Sequence, residues 1–428
     1  MSLVQDVVVE LLIEKPAAGG RMIARHEGQV VLVAGAIPGE RVTAHVDRVE
    51  KRLAFATVVD VLEASPARRV VSFDPLCGGS VYAHIAYETQ IALKAEVIAD
   101  AFARIGRLPI ESPVSVAGSP ERGYRMRSRL HVQAGRAGFF REGTHQLCDP
   151  EPTGQLLDAS MRAAEAVLSA LGAASADVVA IDISENVAAD ERAMHLDVRT
   201  ADTLPPAVLA AAVAAAGLTG CSARSGTGSF ARAGEPSVSD PVNVLTSGRA
   251  PGGTLRRHAA SFFQGNRFLL PSLVTHVTDA VPADGDVLDL YAGVGLFAVS
   301  LAASGRHGIV AVEADRESGA DLLRNAAPYA GAVHAVVGLV EDYVRRDRSH
   351  PATLIVDPPR IGMSREAIDA ISHRAPRRIV YVSCDPPTMA RDARRLVDAG
   401  YRVASLAGFD LFPNTPHVEV VGVFDRQP

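Results

Sequence analysis

A long hydrophobic run is the first feature that the 428-residue chain lacks. The longest apolar stretch in its first 30 residues is VVVELLI, which Asp6 precedes and Glu10 interrupts. A membrane-spanning helix needs about 20 apolar residues, and a secretory signal needs an unbroken apolar segment. We therefore expect neither a signal peptide nor a membrane span, and no membrane partner.

Cysteine is scarce as well, with Cys77, Cys148, Cys221 and Cys384 spread over the chain. Four widely spaced cysteines do not make a disulfide framework, which points to a reducing, cytoplasmic location. We expect the first three to be small, buried, apolar side chains. Cys384 directly follows a predicted strand, so a chemical role is considered for it.

Lysine is nearly absent, since Lys15, Lys51 and Lys94 are the only lysines among 43 basic residues. With 49 acidic residues the net charge is −6, which argues against a protein coated in positive charge. Alanine is over-used to the same degree as arginine, so we attribute the arginine preference to genome composition. The apolar fraction of 48% over this length predicts a globular protein with two or three cores.

The first 62 residues are short apolar segments separated by turn signals such as Gly19-Gly20 and Pro38-Gly39. This pattern predicts a five-stranded barrel of the OB type, which commonly binds looped nucleic acid but also serves other purposes. Apolar periodicity further predicts helices over 80–105 and 154–173. The domains are predicted as a barrel at 1–64, a central α+β domain at 70–255 and a C-terminal domain at 256–428.

Positive charge is concentrated between Arg104 and Arg141, a segment that contains eight arginines but only two glutamates. Arg125, Arg127 and Arg129 alternate with other residues, which places them on one face of a predicted strand. We interpret them as contacts to RNA phosphates, with Tyr124 available for base stacking. The alternative is an ordinary solvated strand face.

From about residue 258 onward, apolar strands alternate with helices, which predicts a doubly wound, mostly parallel sheet. Ligands in such sheets bind at the carboxyl ends of the strands. The strand VLDL leads through Tyr291, Gly293 and Gly295 into a helix, and Glu313 ends the next strand. Since a complete G-x-G-x-x-G motif and a phosphate-binding lysine are missing, this turn favours S-adenosylmethionine over NAD or ATP. A glycine turn that serves packing alone is the alternative.

Further candidate residues lie at or near predicted strand ends. Asp357 precedes two prolines in TLIVDPPRIG, and the loop after Cys384 in IVYVSCDPPT could lower the thiol pKa toward a nucleophilic thiolate. The segment FDLFPNTPHVEVV contains Asp410, His417 and Glu419. Glu419 is either on the solvent face of an edge strand or a partly desolvated base with a raised pKa.

Six segments taken together resemble the RNA uracil-5-methyltransferases, whose members modify the tRNA T-loop or 23S ribosomal RNA: GGRMIARHEGQVVLVAGAIPGERV, SFFQGNR, DLYAGVGLFA, IVDPPRIG, YVSCDPPT and DLFPNTPHVE. The resemblance implies an N-terminal OB-like TRAM barrel that binds RNA and a central RNA-binding domain. It also implies a C-terminal class I, Rossmann-like methyltransferase domain that uses S-adenosylmethionine. The expected reaction is methylation of a uridine at C5.

The resemblance also implies roles for individual residues. Cys384 matches the nucleophile that adds to C6 of uracil, and Glu419 matches the base that removes the C5 proton. Asn266 and the three arginines are expected on the RNA side. The positions that match cofactor-binding residues of the family are Gln264, Tyr291, Gly293, Glu313 and Asp357.

Several positions depart from the family pattern. Val71 and Ser80 replace two cysteines of an iron–sulfur motif; the remaining two thiolates cannot hold a four-ligand cluster, so we expect no cluster and no metal. Leu296 replaces a cofactor-contacting asparagine of some members. Asp385 is expected to raise the pKa of the Cys384 thiol unless it is paired.

By family analogy, the TRAM barrel favours 23S ribosomal RNA as the substrate over tRNA. One alternative is methylation of the tRNA T-loop, and another is a catalytically silent RNA-binding protein. A cytosine-5 enzyme is disfavoured because Asp357-Pro-Pro-Arg360 lacks the cysteine of that class. We expect a cytoplasmic monomer with RNA as its partner.

Overall fold

The computed structural model describes residues 3–200 and 204–427. Its strands are β1 (Val8–Pro16), β2 (Met22–His26), β3 (Gln29–Ala34), β4 (Arg41–Val49), β5 (Leu53–Glu63), β6 (Ser115–Ala117), β7 (Arg127–Gln133), β8 (Arg136–Phe140), β9 (Leu147–Cys148), β10 (Val178–Glu185), β11 (Arg192–Val198), β12 (Gly220–Ser225), β13 (Phe230–Gly234), β14 (Ser237–Pro241), β15 (Thr254–His258), β16 (Val287–Leu290), β17 (Ile309–Glu313), β18 (Val333–Val337), β19 (Thr353–Val356), β20 (Arg378–Ser383), β21 (Tyr401–Phe409) and β22 (Glu419–Arg426).

The α-helices are α1 (Tyr87–Ala101), α2 (Asp158–Leu171), α3 (Pro206–Ala216), α4 (Val242–Leu245), α5 (Leu270–Asp279), α6 (Leu296–Ala303), α7 (Arg316–Ala326), α8 (Val340–Arg346), α9 (Arg365–Arg374) and α10 (Pro386–Asp398). Within the described ranges, none of these helices is long and apolar enough to cross a bilayer.

Strands β1 to β5 close into a barrel in the order β1-β2-β3-β5-β4, which confirms the predicted N-terminal barrel. Alternate side chains of each strand, such as Leu11, Ile13, Val31 and Val33, are buried inside it. This alternation follows from the two-residue period of a strand and explains why the sequence pattern identified the barrel.

The central domain is built on a seven-stranded sheet in the order β13-β12-β11-β10-β7-β8-β9. Helices α2 and α3 share its hydrophobic core, in which Val167 and Leu209 pack with Leu130 and Ile181 of the sheet. The predicted helix over 154–173 is therefore present as α2.

The C-terminal sheet has eight strands in the order β18-β17-β16-β19-β20-β22-β21-β6. Strands β16 to β20 are mutually parallel, whereas β22 runs antiparallel to both β20 and β21. Two large hydrophobic clusters include alternate strand residues, with Ile355 in one cluster and Leu354 in the other. The predicted doubly wound sheet is confirmed, because strands covered on both faces must be apolar throughout.

A segment from the first half of the chain completes this C-terminal core. Helix α1 contributes Ile98, and the following π-helical turn contributes Phe102, to the cluster that also contains Leu354. Strand β6 pairs in parallel with β21 at the edge of the sheet. Residues 87–117 thus pack with the C-terminal sheet although they precede the predicted boundary at 256 in the chain. The domain boundaries themselves stay predictions.

Cys77 and Cys148 form a disulfide across 71 residues of sequence separation. The expectation that the cysteines form no disulfide is wrong for this pair, because the β8–β9 hairpin and the loop before α1 bring them together, whereas the expected burial of Cys77 is confirmed. In that hairpin the backbone of Cys148 is the strand partner of Phe139. The backbone of Cys77 forms an isolated antiparallel β-bridge with Arg141. Cys221 is buried and free, as expected. The two thiols available to an iron–sulfur cluster are thus bonded to each other.

Removing this disulfide should lower the stability of the oxidised protein. In the chain-entropy treatment, a link that closes about 70 residues contributes roughly 4 kcal/mol by restricting the unfolded chain. We expect Cys77→Ala/Cys148→Ala to lower the free energy of unfolding by about that amount under oxidising conditions, measured by denaturant titration. Cys221→Ala is the control, and equal unfolding curves for wild type and double variant would contradict the prediction.

Candidate active site

The sheet topology gathers the predicted site residues at one edge. Tyr291, Asp357 and Cys384 directly follow parallel strands β16, β19 and β20, while Glu313 ends β17. Glu419 begins β22, and because β22 is antiparallel to β20, its start lies at the same edge as the end of β20. Neighbouring strands thus bring the thiol and the carboxylates to one place.

The turn after β16 leaves room for a ligand next to the backbone. Gly293 and Gly295 have φ of 56° and 91°, a region in which glycine has no steric penalty, and Tyr291 also has a positive φ of 61°. A Cβ at Gly293 would meet no atom within 4 Å. The Glu313 carboxylate accepts a hydrogen bond of 2.8 Å from Gly293 N and thereby connects the ends of β16 and β17.

Two further carboxylates surround this turn. Asp289 is fully buried; one oxygen accepts from Ala298 N at 3.1 Å, and the other has no partner within the described residues. Burial raises the pKa of Asp289 to about 8. Glu341 accepts a hydrogen bond of 3.3 Å from the Tyr291 hydroxyl. The sequence reasoning missed Glu341, although its place just after strand β18 was a usable signal.

Gln264 lies on the segment between β15 and α5, and its amide donates to Asp357 Oδ2 at 3.4 Å. Asn266 anchors this segment, since its amide donates to Ser119 Oγ at 2.9 Å and to the Leu411 carbonyl at 3.1 Å. Asn266 is completely buried, so the expectation that it faces RNA is wrong. Burial, with a contribution from Glu313, raises the pKa of Asp357.

The Cys384 thiol is half-buried at the end of β20. Burial, followed by the negative charge of Glu419, raises the pKa of this thiol to about 11, whereas the sequence suggested that the loop would lower it. Asp385 accepts a hydrogen bond of 2.8 Å from Thr388 N as the N-cap of α10, so its carboxylate is paired within the helix. With a pKa of about 11, the Cys384 thiol is protonated at neutral pH.

Arg360 is the positive group that opposes this effect, and the sequence reasoning assigned it no role. Its guanidinium lowers the pKa of the Cys384 thiol through its positive charge, and its Nη2 lies 3.4 Å from His417 Nδ1. It also counteracts the rise in the pKa of Glu419. Its position after the two prolines that follow β19 was the available signal.

Glu419 is 4% exposed, and β22 lies inside the sheet between β20 and β21. The alternative of a solvent-facing edge strand is therefore wrong. Burial, followed by the charge of Asp357, raises the pKa of Glu419 well above its usual value. A carboxylate in this environment binds a proton more strongly than one in water.

The loop before Glu419 is held by buried polar contacts to α1. Lys94 and Asp410, both at most 1% exposed, form an ion pair, and Lys94 also donates to the Phe412 carbonyl at 3.2 Å. The side chain of Gln90 accepts from Asn414 N at 2.9 Å. These contacts fix the loop that ends at the candidate base.

Comparison with known proteins identifies the family. The family model for tRNA (uracil-5-)-methyltransferases matches residues 341–427, and the TRAM domain model matches residues 7–59. An uncharacterized RNA methyltransferase of Streptomyces coelicolor is 34% identical over 96% of this chain and 91% of its own length. The chain belongs to the RNA uracil-5-methyltransferase family. The 23S rRNA (uracil(1939)-C(5))-methyltransferase RlmD of Methylococcus capsulatus is 31% identical, with 97% and 96% of the two chains covered.

The fold of this methyltransferase matches a solved structure along nearly its whole length. The tRNA (uracil-54, C5)-methyltransferase of Pyrococcus abyssi, crystallised with S-adenosyl-L-homocysteine, gives a TM-score of 0.73 at 23% identity. The match covers 97% of this chain and 100% of the other. The C-terminal domain therefore has the fold of an S-adenosylmethionine-dependent methyltransferase.

The described residues fit the cofactor of this methyltransferase fold. The open space beside Gly293 admits a ligand, the unpartnered oxygen of Asp289 offers an acceptor, and Glu313 supplies a carboxylate at the end of β17. Leu296, in contrast, is buried as the first residue of α6.

The methyltransferase already uses part of the hydrogen-bonding capacity of the three candidate RNA-binding arginines internally. Arg125 precedes β7 and donates to Gln155 Oε1 at 2.7 Å, while Arg127 donates to the Ser261 carbonyl at 3.1 Å. Arg129 is paired with Asp182 and Asp197. Tyr124 is fully buried, so the expectation that it stacks on bases is wrong. RNA binding by the three arginines stays a prediction.

Proposed function

We propose that this methyltransferase modifies C5 of a uridine in 23S ribosomal RNA through a covalent enzyme–RNA adduct. The observation that carries this proposal is the meeting of Cys384, Arg360 and the buried Glu419 at one sheet edge, beside the glycine turn. Two relatives named as 23S ribosomal RNA enzymes, at 31% and 30% identity over most of this chain, support this RNA as substrate.

The chemistry begins with the uracil ring, whose C5 is too weak a nucleophile by itself. Cys384 loses its thiol proton to solvent and the thiolate forms a bond to C6, while the C5–C6 π electrons move through C5 toward the O4 oxygen as an enolate. The positive charge of Arg360 lowers the pKa of this thiol and so favours the thiolate as substrate enters. The target base must leave its stack to reach this thiol.

S-adenosylmethionine, when bound, supplies an electrophilic methyl group. The residues proposed to hold it are Gln264, Tyr291, Gly293, Glu313 and Asp357. The activated C5 would take the methyl group as the sulfonium C–S bond breaks and the neutral thioether S-adenosylhomocysteine leaves, so that C5 carries both a proton and a methyl group. Glu419 then accepts the C5 proton, the double bond re-forms, and the cysteine leaves as thiolate. The raised pKa of Glu419 makes its carboxylate a better proton acceptor.

A test uses 23S ribosomal RNA and tRNA transcripts that contain 5-fluorouridine. Fluorine at C5 cannot leave as a proton, so an active enzyme with S-adenosylmethionine should remain attached to its RNA on a denaturing gel. An adduct with 23S RNA that Cys384→Ala abolishes would support the proposal. An adduct confined to tRNA would favour the T-loop alternative. The matching family model and the similar solved structure, whose names both refer to tRNA, support that alternative. Cofactor binding without an adduct on either RNA would favour a silent RNA-binding protein.

We further propose that the enzyme acts in the cytoplasm as a monomer, the form expected for work on ribosomal RNA by a single complete site. Light scattering of the purified protein should give a mass near the 45.0 kDa of one chain. A mass of twice this value would contradict the proposal.

The role of Arg360 leads to a pH prediction. Because its positive charge lowers the pKa of Cys384, Arg360→Ala should raise that pKa and shift the rise of adduct formation to higher pH. A shift of one unit gives an approximately tenfold slower adduct formation at pH 7.5, with the difference shrinking at alkaline pH. Single-turnover rates across pH measure this shift. Arg360→Lys should recover part of the loss, and parallel profiles with a constant offset would contradict the electrostatic explanation.

A further inference from the structure

A cavity lies between the barrel and the segment 68–84, apart from the sheet edge that holds Cys384. It has a volume of about 420 Å³, within the range of small-molecule binding sites. The barrel contributes Gly20 and Val58 to its walls, and the facing segment contributes Arg68, Arg69 and Val71. None of the residues assigned above to catalysis or to the cofactor lines this cleft.

Two of the three arginines that line the cleft, Arg68 and Arg69, are paired with carboxylates and held in place. Arg68 donates to the buried Glu40 carboxylate at 2.6 Å and to the Gly35 carbonyl at 2.8 Å. Arg69 is paired with Glu121. Bonds in the plane of a guanidinium leave its flat faces free, and such faces stack on nucleobases. Since their charges are compensated by carboxylates, these arginines favour a flat ring over a phosphate.

The remaining walls are largely apolar, with Arg21 and Glu142 as one further residue of each charge sign. Val58 and Val71 supply apolar surface. His84 lines the same cleft, and burial lowers its pKa to about 4, which keeps its ring neutral at physiological pH. A site with apolar walls, flat guanidinium groups and a neutral imidazole suits an uncharged aromatic ring.

The cleft shares walls with the catalytic loop. A Cβ at Gly20 would lie 2.8 Å from Pro416 Cγ, so the turn between β1 and β2 packs directly on this loop. Arg69 donates to the Asn414 side chain at 2.6 Å. The same loop leads into Glu419, so a ligand in the cleft is in contact with residues that support the candidate base.

We propose that this cleft holds a second unstacked nucleobase of the substrate RNA while the target uridine occupies the site at Cys384. The inference rests on the proposed function and extends it to substrate selection. An RNA would have to present two unpaired nucleotides at the correct separation, one for each site. RNA loops can splay bases in this way, whereas the bases of a continuous duplex stay stacked.

The test narrows the cleft without adding an aromatic ring or a charge. Val58→Met/Val71→Met adds flexible bulk from both walls, and Val59→Met/Val70→Met is the matched control. Each control position is the chain neighbour of a test position, and the two control side chains are 61% and 98% exposed. Filter binding of the complete protein to a 23S ribosomal RNA transcript and to a duplex RNA of random sequence measures the effect.

We expect the cleft variant to bind the 23S transcript at least tenfold more weakly than wild type, with duplex binding and the thermal midpoint unchanged. The control variant should stay within twofold of wild type on both RNAs. Equal affinity of the two variants for the 23S transcript would overturn the proposal. An equal loss on duplex RNA would also overturn it, because the cleft would then contact the RNA backbone. If the double variant unfolds, Val71→Met alone is compared with Val70→Met.

Failure of this proposal can be distinguished from failure of the proposed function. Wild-type adduct formation on 5-fluorouridine RNA reports on Cys384 and the target uridine, whereas filter binding requires no chemistry. If the wild type forms the adduct and the two variants bind RNA equally, the nucleobase site in the cleft is rejected and the methylation proposal is retained. Selective weakening of the cleft variant without any wild-type adduct retains the nucleobase site and rejects the catalytic proposal.

Discussion

Replacing Cys384 by alanine is expected to lower kcat/KM for RNA methylation by at least about 10⁴-fold, because an unactivated uracil C5 does not attack a methyl donor at a useful rate. Tritium transfer from labelled S-adenosylmethionine to RNA measures this loss. The variant should retain cofactor and RNA affinity within about twofold, since the thiol acts after both have bound.

Cys221→Ala is the control for this experiment. Cys221 is the other free cysteine, buried in β12 of the central sheet, and its removal tests whether loss of a thiol as such affects the enzyme. The control should retain activity. Residual turnover above a tenth of the wild-type rate in Cys384→Ala would exclude the covalent mechanism.

Replacing Glu419 by glutamine is expected to lower turnover by about 10²–10⁴-fold, the usual contribution of a general base. The amide keeps the shape of the side chain but cannot accept the C5 proton. Addition of Cys384 and methyl transfer should still occur, so a covalent protein–RNA complex accumulates with ordinary, unfluorinated RNA. A denaturing gel detects this complex, which Cys384→Ala/Glu419→Gln should not form.

The wild-type pH dependence provides a second test of Glu419. Its pKa is raised, so its carboxylate takes up a proton at a higher pH than an exposed glutamate does. Release of the RNA from a preformed adduct should therefore slow as the pH falls through that raised pKa, which a pH jump after adduct formation measures. Glu366→Gln, at an exposed position of α9, should behave as wild type. Rapid, complete release of RNA by Glu419→Gln would exclude this residue as the base.

The predictions that succeeded from the sequence were those that depend on local periodicity. Alternating apolar residues identified the barrel, and continuous apolar strands between helices identified the doubly wound sheet. The same rule placed Tyr291, Glu313, Asp357 and Cys384 at the carboxyl ends of their strands. These features follow from backbone geometry, in which side chains repeat every two residues in strands and about every 3.6 in helices.

The electrostatics of the site could not be predicted in this way. The sequence suggested a lowered pKa for Cys384, but burial and the approach of Glu419 raise it. For Glu419 the sequence allowed either a solvent-facing edge strand or a buried position. Glu419 is buried because β22 lies between β20 and β21. A pKa depends on solvent exclusion and on charges from distant parts of the chain, which no local pattern contains.

By itself, the sequence determined the barrel, the methyltransferase sheet and the strand ends at which the chemistry-bearing side chains occur. The tertiary structure alone decided that Cys77 bonds to Cys148 and that the positive charge of Arg360 lowers the pKa of the Cys384 thiol. It also decided that α1 and β6 complete the C-terminal core, and that Asn266 and Tyr124 are buried. The physical reason is that periodicity is set by neighbouring residues, whereas burial, pairing and charge contact arise where segments distant in sequence meet.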